Sequence, residues 1–142
     1  MLKNLRQEWA TPQAFFDEQN ARYRYTVDAC AKPWNAKLPR YWTEGDDGLV
    51  QVWDGERVWC NPPYTDIKPW VDQALRRRAE WCTLLLPSRT DRDWFHALLV
   101  ESYKQRAQIE FLPYRLSFEP PPGVRDSAPR EASILVHLWS NQ

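Results

Sequence analysis

The residues best suited to chemistry stand in succession at Asn61, Pro62, Pro63 and Tyr64, directly after the apolar stretch Val58, Trp59 and Cys60. An amino group conjugated to a ring is a poor nucleophile because its lone pair is delocalised, so a protein that makes it react must polarise the nitrogen. Two fixed acceptors do this. The amide oxygen of Asn61 and the main-chain carbonyl of Pro62 can each take one amino hydrogen, which favours a tetrahedral nitrogen whose lone pair points at an incoming methyl group. The proline rings fix their own φ, and each disfavours helical geometry at the residue before it, so both acceptors are held rigidly. Tyr64 offers a flat face on which a base drawn out of a duplex can stack. The plainer alternative is a proline-rich turn between a strand and a helix, with Tyr64 as a lid on the core.

Those four residues need elements to position them. Thr11 as N-cap and Pro12 at the first helical position open a helix through Phe15, Phe16 and Gln19 that ends near Arg22. Residues 23–28 alternate aromatic and β-branched types, which predicts a strand with Asp28 at its carboxyl end, where the acid can equally be a cap or turn residue. Residues 29–53 are broken by Pro33, Pro39, Gly45 and Gly48 and read as mostly loop, with short strands at 41–43 and 49–53. A buried strand at 57–60 leads into the tetrapeptide, and Thr65 or Asp66 caps a helix carrying Ile67, Val71, Ala74 and Leu75 on one face. The continuous apolar run 81–86 predicts a central strand buried on both faces. Thr90 and Asp93 have capping spacing ahead of a stripe at Phe95, Leu98, Leu99, Ser102 and Tyr103. Two closing strands, 108–112 and 132–139, flank a proline-rich connection at 119–130. The pattern predicts one α/β domain over 1–142, with a mostly parallel sheet and a C-terminal antiparallel hairpin. Ligand sites of such sheets lie at the carboxyl ends of the strands, where Asp28, Asn61 and Pro87 converge.

Bulk composition narrows the function. With 142 residues the chain can bury a single core, and nine Trp with 14% aromatic residues favour a packed fold over a disordered tail. A formal net charge of +0 gives no global basic field, so any contact with nucleic acid rests on local patches such as Arg76, Arg77 and Arg78, or Arg89 with Arg92. Both patches can equally be solvated helix faces. No apolar run is long enough to cross a bilayer and no leader is visible at the N-terminus, so a soluble, intracellular protein without a membrane partner is expected. Cys30, Cys60 and Cys82 are odd in number, widely spaced and set among apolar residues, as reduced core thiols are, and with only His96 and His137 to join them no metal site is expected.

The chain resembles the short phage-type DNA adenine-N6 methyltransferases, within the wider set of amino-methyltransferases that carry an Asn-Pro-Pro-Tyr motif. The resemblance rests on an ordered series: residues 8–12 (EWATP), 26–31 (TVDACA), 35–37 (NAK), 47–49 (DGL), 59–64 (WCNPPY), 86–90 (LPSRT), Trp94 with Phe95, and 115–118 (RLSF). It implies a reduced Rossmann-like fold and S-adenosylmethionine as cofactor, with Trp9, Thr11, Pro12, Asp28, Ala29 and Asn61 around it. It implies double-stranded DNA as substrate, Asn61, Pro62, Pro63 and Tyr64 as the catalytic residues holding a flipped adenine, and a phage or prophage enzyme in the cytoplasm of a bacterial host. Asp46 and Asp47 can accept from the cofactor's hydroxyls or amino group, or can start the Asp-Asp-Gly turn. Arg89, Thr90, Arg92 and Arg115 are candidates for DNA phosphate contacts, though exposed arginines often have no such role. The chain departs from the usual pattern in lacking any glycine at 28–31, after its first strand.

Other readings share part of this logic. The same two acceptors can polarise cytosine N4, an RNA base or a glutamine amide. Methylation of cytosine C5 needs a thiol aimed at the base, and Cys60 precedes Asn61 on an expected buried strand. A nonenzymatic module that stacks unpaired bases on its aromatics would accommodate the many Trp residues, but neutral net charge and the helix-spaced setting of several aromatics count against it.

Overall fold

The computed structural model describes residues 9–125 and 131–141. Among them, five strands form one mixed sheet in the order β1-β2-β3-β5-β4: β1 is Val27–Asp28, β2 Arg57–Cys60, β3 Trp81–Pro87, β4 Ala107–Phe111 and β5 Ser133–Trp139. β1, β2 and β3 pair in parallel, whereas β5 is antiparallel to both of its neighbours, so β4 runs with the parallel set. The expected α/β fold and closing hairpin are present, with β5 inserted between β3 and β4. That central place buries six of its seven residues, which is why its run is almost continuously apolar.

Alternation along the strands divides the core in two. Val58, Cys60, Leu84, Leu86, Ile134 and Val136 face helices α2 (Lys68–Leu75) and α3 (Asp93–Tyr103). Trp59, Leu85 and Leu135 face the other way, onto Phe15 and Phe16 of α1 (Gln13–Tyr23) and onto Leu116. Leu84, Leu85 and Leu86 are all fully buried, and burying such a side chain contributes roughly 1.5–3 kcal/mol.

Several local expectations are corrected. Pro12, not Thr11, occupies the cap position of α1, with no side-chain cap bond, because the Thr11 hydroxyl is turned to Asn61. The helix runs to Tyr23 and stops where Arg24 adopts φ 51°. Most of the strand expected at 23–28 is therefore absent: the Tyr23 ring stacks on Trp81 at 4.8 Å, and the Tyr25 hydroxyl donates to Thr83 at 2.8 Å, so both rings lie on the sheet and do not extend it. The strands expected at 41–43 and 49–53 do not form. Tyr41 makes a single bridge to Asp28, and Gly48–Val50 is a 3₁₀ turn closed by the Trp53 indole donating to the Gly48 carbonyl at 2.8 Å. α2 begins with Ile67 at its cap and a proline in its first turn, and α3 with Arg92 at its cap, so Thr65, Asp66 and Thr90 cap neither. Tyr103 is exposed, and the buried stripe of α3 is Trp94, Phe95 and Leu98. Of the proline-rich connection at 119–130, positions 126–130 lie outside the described residues.

The patch at 76–78 is not a single basic face. Arg77 is 6% exposed, and its guanidinium donates to Glu101 at 2.6 Å and to the Trp139 carbonyl at 3.0 Å, tying the ends of α2, α3 and β5 together. Only Arg76 and Arg78 remain on the surface.

Candidate active site

Because β1, β2 and β3 are parallel, their carboxyl ends deliver Asp28, Asn61 and Pro87 to the same edge of the sheet. Asn61 follows the last residue of β2, is half-buried, and donates through Nδ2 to the Thr11 hydroxyl at 3.2 Å. With that end of the amide held, Oδ1 is left to accept. Pro62 is buried. The far end of the turn is fixed from β3: Arg89 donates to the Tyr64 carbonyl at 2.8 Å and lies 5.8 Å from the centre of its ring, while Phe118 meets that ring edge-on.

Two cavities meet at this turn, with Cys30 and Asn61 lining both. The larger, about 390 Å³, lies between residues 29–32, the loop 43–49, and Asn61, Pro63 and Trp70. That volume is within the range of small-molecule sites, roughly 300–1,000 Å³. The smaller, about 20 Å³, is bounded by Trp9, Thr11, Asp28 and Lys37.

Asp28 is not a peripheral strand-end acid. It is 3% exposed and accepts main-chain N–H bonds from Lys37 at 3.0 Å and Cys30 at 3.5 Å. Burial outweighs these two donors and pushes its carboxyl up to about 7, so a nearby cation would draw it into the ionised state. Burial likewise holds the Cys60 thiol well above its ordinary range, and a buried thiol of that kind is no nucleophile for a base.

The missing glycine after β1 has a structural explanation. Ala29 and Ala31 donate their N–H groups to the carbonyls of Trp59 and Trp42, and none of the positive-φ residues lies in 28–31. No left-handed turn is required there. The close approach is made from the opposite wall, where a Cβ on Gly48 would lie 2.2 Å from the Ala29 carbonyl oxygen and 3.0 Å from the Trp70 ring.

The acidic pair divides. Asp46 turns back to accept from the main chain and hydroxyl of Thr43, which holds its carboxyl below the ordinary range, and it does not line the cavity. Asp47 does line it, at φ 55°, with its carboxylate also accepting from the Leu49 N–H at 3.1 Å. Glu44, Lys32 and Trp70 line the same cavity and escaped the sequence reading. Turn composition marks residues 44–48 as a turn, but no periodicity says which of its acids faces inward. Trp9 and Thr11 line the small pocket and Ala29 the large one, whereas Pro12 lines neither.

Among the four residues read as phosphate contacts, Arg89 is engaged inside the protein. Its Nε and Nη2 donate to the two carboxylate oxygens of Glu131 at 2.9 and 2.8 Å. Thr90 and Arg92 are exposed on the loop beyond β3, and Arg115 is exposed just before the buried Leu116.

Fold and site together define an α/β protein with a cavity at the carboxyl ends of its parallel strands and an Asn-Pro-Pro-Tyr turn on the cavity wall. The chain belongs to the DNA N-6-adenine-methyltransferase (Dam) family, whose profile matches residues 1–139. It is 35% identical over 69 residues to the DNA N-6-adenine-methyltransferase of Haemophilus phage HP1, covering 47% of this chain and 40% of that protein. To the protein of the same description from Escherichia phage T1 it is 27% identical over 95 residues, covering 64% of this chain and 40% of that protein. The matched segment thus spans about 40% of the length of these relatives. A solved structure from Pyrococcus horikoshii, described as a candidate RNA methyltransferase, superposes with a TM-score of 0.45 at 12% identity, covering 72% of this chain and 52% of that one.

Proposed function

We propose that this chain transfers a methyl group from S-adenosylmethionine to the N6 amino group of adenine in double-stranded DNA, with the target base turned out of the duplex. The observation that carries this reading is the Asn61 amide, held through Nδ2 by Thr11 where the two cavities meet. Membership of the family named for that reaction supports it.

The residues present fit the cofactor. Asp47 and Glu44 are acceptors suited to its hydroxyls, Trp70 and Ala29 supply apolar wall, and the buried carboxyl of Asp28, on the small adjoining cavity, suits its positive charge. When bound, S-adenosylmethionine supplies the electrophilic methyl group. Asn61 Oδ1 and the Pro62 carbonyl would accept the two amino hydrogens of adenine and turn the nitrogen lone pair outward; transfer would break the cofactor's sulfur–methyl bond, leaving a neutral thioether, and one amino hydrogen would pass to solvent as a proton. Tyr64 stacks the extruded base. Thr90 and Arg92, exposed on the loop beyond β3, and the exposed Arg115 meet phosphates. No helix among the described residues is long and apolar enough to cross a membrane, and a phage-borne enzyme of this kind acts in the cytoplasm of a bacterial host.

Incubation with labelled S-adenosylmethionine and unmethylated duplex DNA, followed by nucleoside analysis, tests the reading. Label is expected in N6-methyladenine. Label confined to N4-methylcytosine, RNA or protein rejects it.

A further inference from the structure

We propose that Arg89 is a positioning residue for Tyr64, clamping the base-stacking ring, and that it contacts no DNA phosphate; this rests on the function proposed above. Its placement follows from the sheet. The β3–β5 ladder pairs Pro87 with Ser133, and beyond it the Ser88 N–H still donates to the Ala132 carbonyl at 2.8 Å. The same register sets residue 89 opposite residue 131, and there the Arg89 guanidinium forms a two-pronged pair with Glu131. Such pairs fix a guanidinium in plane and direction as a single charge cannot. So oriented, Arg89 has Nη1 left to reach the Tyr64 carbonyl, and its cationic carbon lies over the Tyr64 ring. Side-chain exposure of 22% for Arg89 and 32% for Glu131 shows a pair largely withdrawn from solvent and neutral as a unit, which is the opposite of what a phosphate contact requires.

The two roles predict opposite results for Glu131→Gln. A phosphate-binding Arg89 freed of its carboxylate would bind DNA more tightly, with undiminished kcat/KM. A clamp deprived of its anchor lets the ring wander, so methyl transfer to unmethylated genomic DNA should fall by about tenfold in kcat/KM, the scale of one stacking contact, even where the added positive charge tightens DNA binding. Arg89→Lys keeps the charge but not the fork and should resemble Arg89→Ala. For both Arg89 variants, the salt dependence of binding to a random-sequence 30-base-pair duplex should match the parent, whereas loss of one phosphate contact lowers that slope by about 1. In a Tyr64→Ala background, Arg89→Ala should cost less than twofold, because nothing is left to position.

A reduced salt slope for either Arg89 variant, rescue by lysine, or undiminished kcat/KM in Glu131→Gln overturns the inference, and the salt-slope arm needs no turnover. A parent that methylates DNA alongside an equally active Arg89→Ala overturns this inference alone. A parent that transfers no methyl to DNA overturns the proposed function and, with it, the role of Tyr64.

Discussion

Gly48→Ala introduces one methyl group where the structure has no room for it. The added Cβ would meet the Ala29 carbonyl oxygen at 2.2 Å and the Trp70 ring at 3.0 and 3.1 Å, while ordinary contact begins at 3.4 Å. Ala29 is held to the sheet by its N–H bond to Trp59, so the carbonyl it meets is braced main chain and not a flexible tip. The loop 43–49 must therefore withdraw by about 1.2 Å on the shortest contact, and the indole bond from Trp53 to the Gly48 carbonyl, 2.8 Å long, must stretch or break with it. Overpacking of this kind typically costs about 1–3 kcal/mol, and a lost hydrogen bond about 1 kcal/mol more. For a chain of this size each kcal/mol lowers Tm by about 2–4 °C, so the combined loss of about 2–4 kcal/mol should lower Tm by about 4–16 °C in a scanning calorimeter. Because Asp47 and Glu44 belong to the displaced wall, S-adenosylmethionine affinity should weaken about tenfold in the same protein, measured by titration calorimetry. A Gly48→Ala protein with parental Tm and parental cofactor affinity would refute both the contact and the placement of the cofactor beside it.

The proposed place of Asp28 beside the cofactor's positive charge predicts that cofactor binding depends on pH. The acid's folded-state pKa of about 7 lies above the ordinary 3.8, so the folded protein holds the extra proton between these values. On this group's account, stability falls as pH rises from 3.8 to 7 and is level above. A cation bound beside it selects the ionised form, so affinity for S-adenosylmethionine should rise about tenfold from pH 6 to pH 8, with a proton released on binding at pH 6. Calorimetry in buffers of different ionisation enthalpy reads both, and a flat profile removes Asp28 from the site. Asn61→Ala deletes one of two preorganised acceptors and should slow single-turnover transfer by about a hundredfold or more while leaving cofactor affinity intact; a near-parental rate defeats the polarisation mechanism. Arg77→Ala strands Glu101, though Arg106 at 3.4 Å keeps part of its charge balanced. Urea denaturation should show a loss of about 3 kcal/mol, the lower end for a broken buried pair, and a change below about 1 kcal/mol would show the pair to be inert.

The parts legible in the sequence are those set by neighbours along the chain. Residues 57–60, 81–87 and 133–139 show their strands because central strands are buried on both faces and leave long apolar runs. The prolines at 62 and 63 restrict the backbone wherever they occur, so the rigidity of the turn could be read before any fold was known. Alternation at 23–28 misled because Tyr23 and Tyr25 are aromatic for packing onto the sheet, a reason that lies on residues 81 and 83. Tertiary structure alone decided the charged and polar roles. Arg77 and Arg89 look like any surface arginines until Glu101 and Glu131, 24 and 42 residues away, are brought to them. Thr11 looks like a helix cap until Asn61, 50 residues on, takes its hydroxyl. Asp46 and Asp47 are equivalent in sequence, and only the path of the loop turns one inward and the other back on Thr43. A side chain's hydrogen-bonding capacity is written in its residue type, but its partner is chosen by which distant segment the sheet register and the packed core carry alongside it.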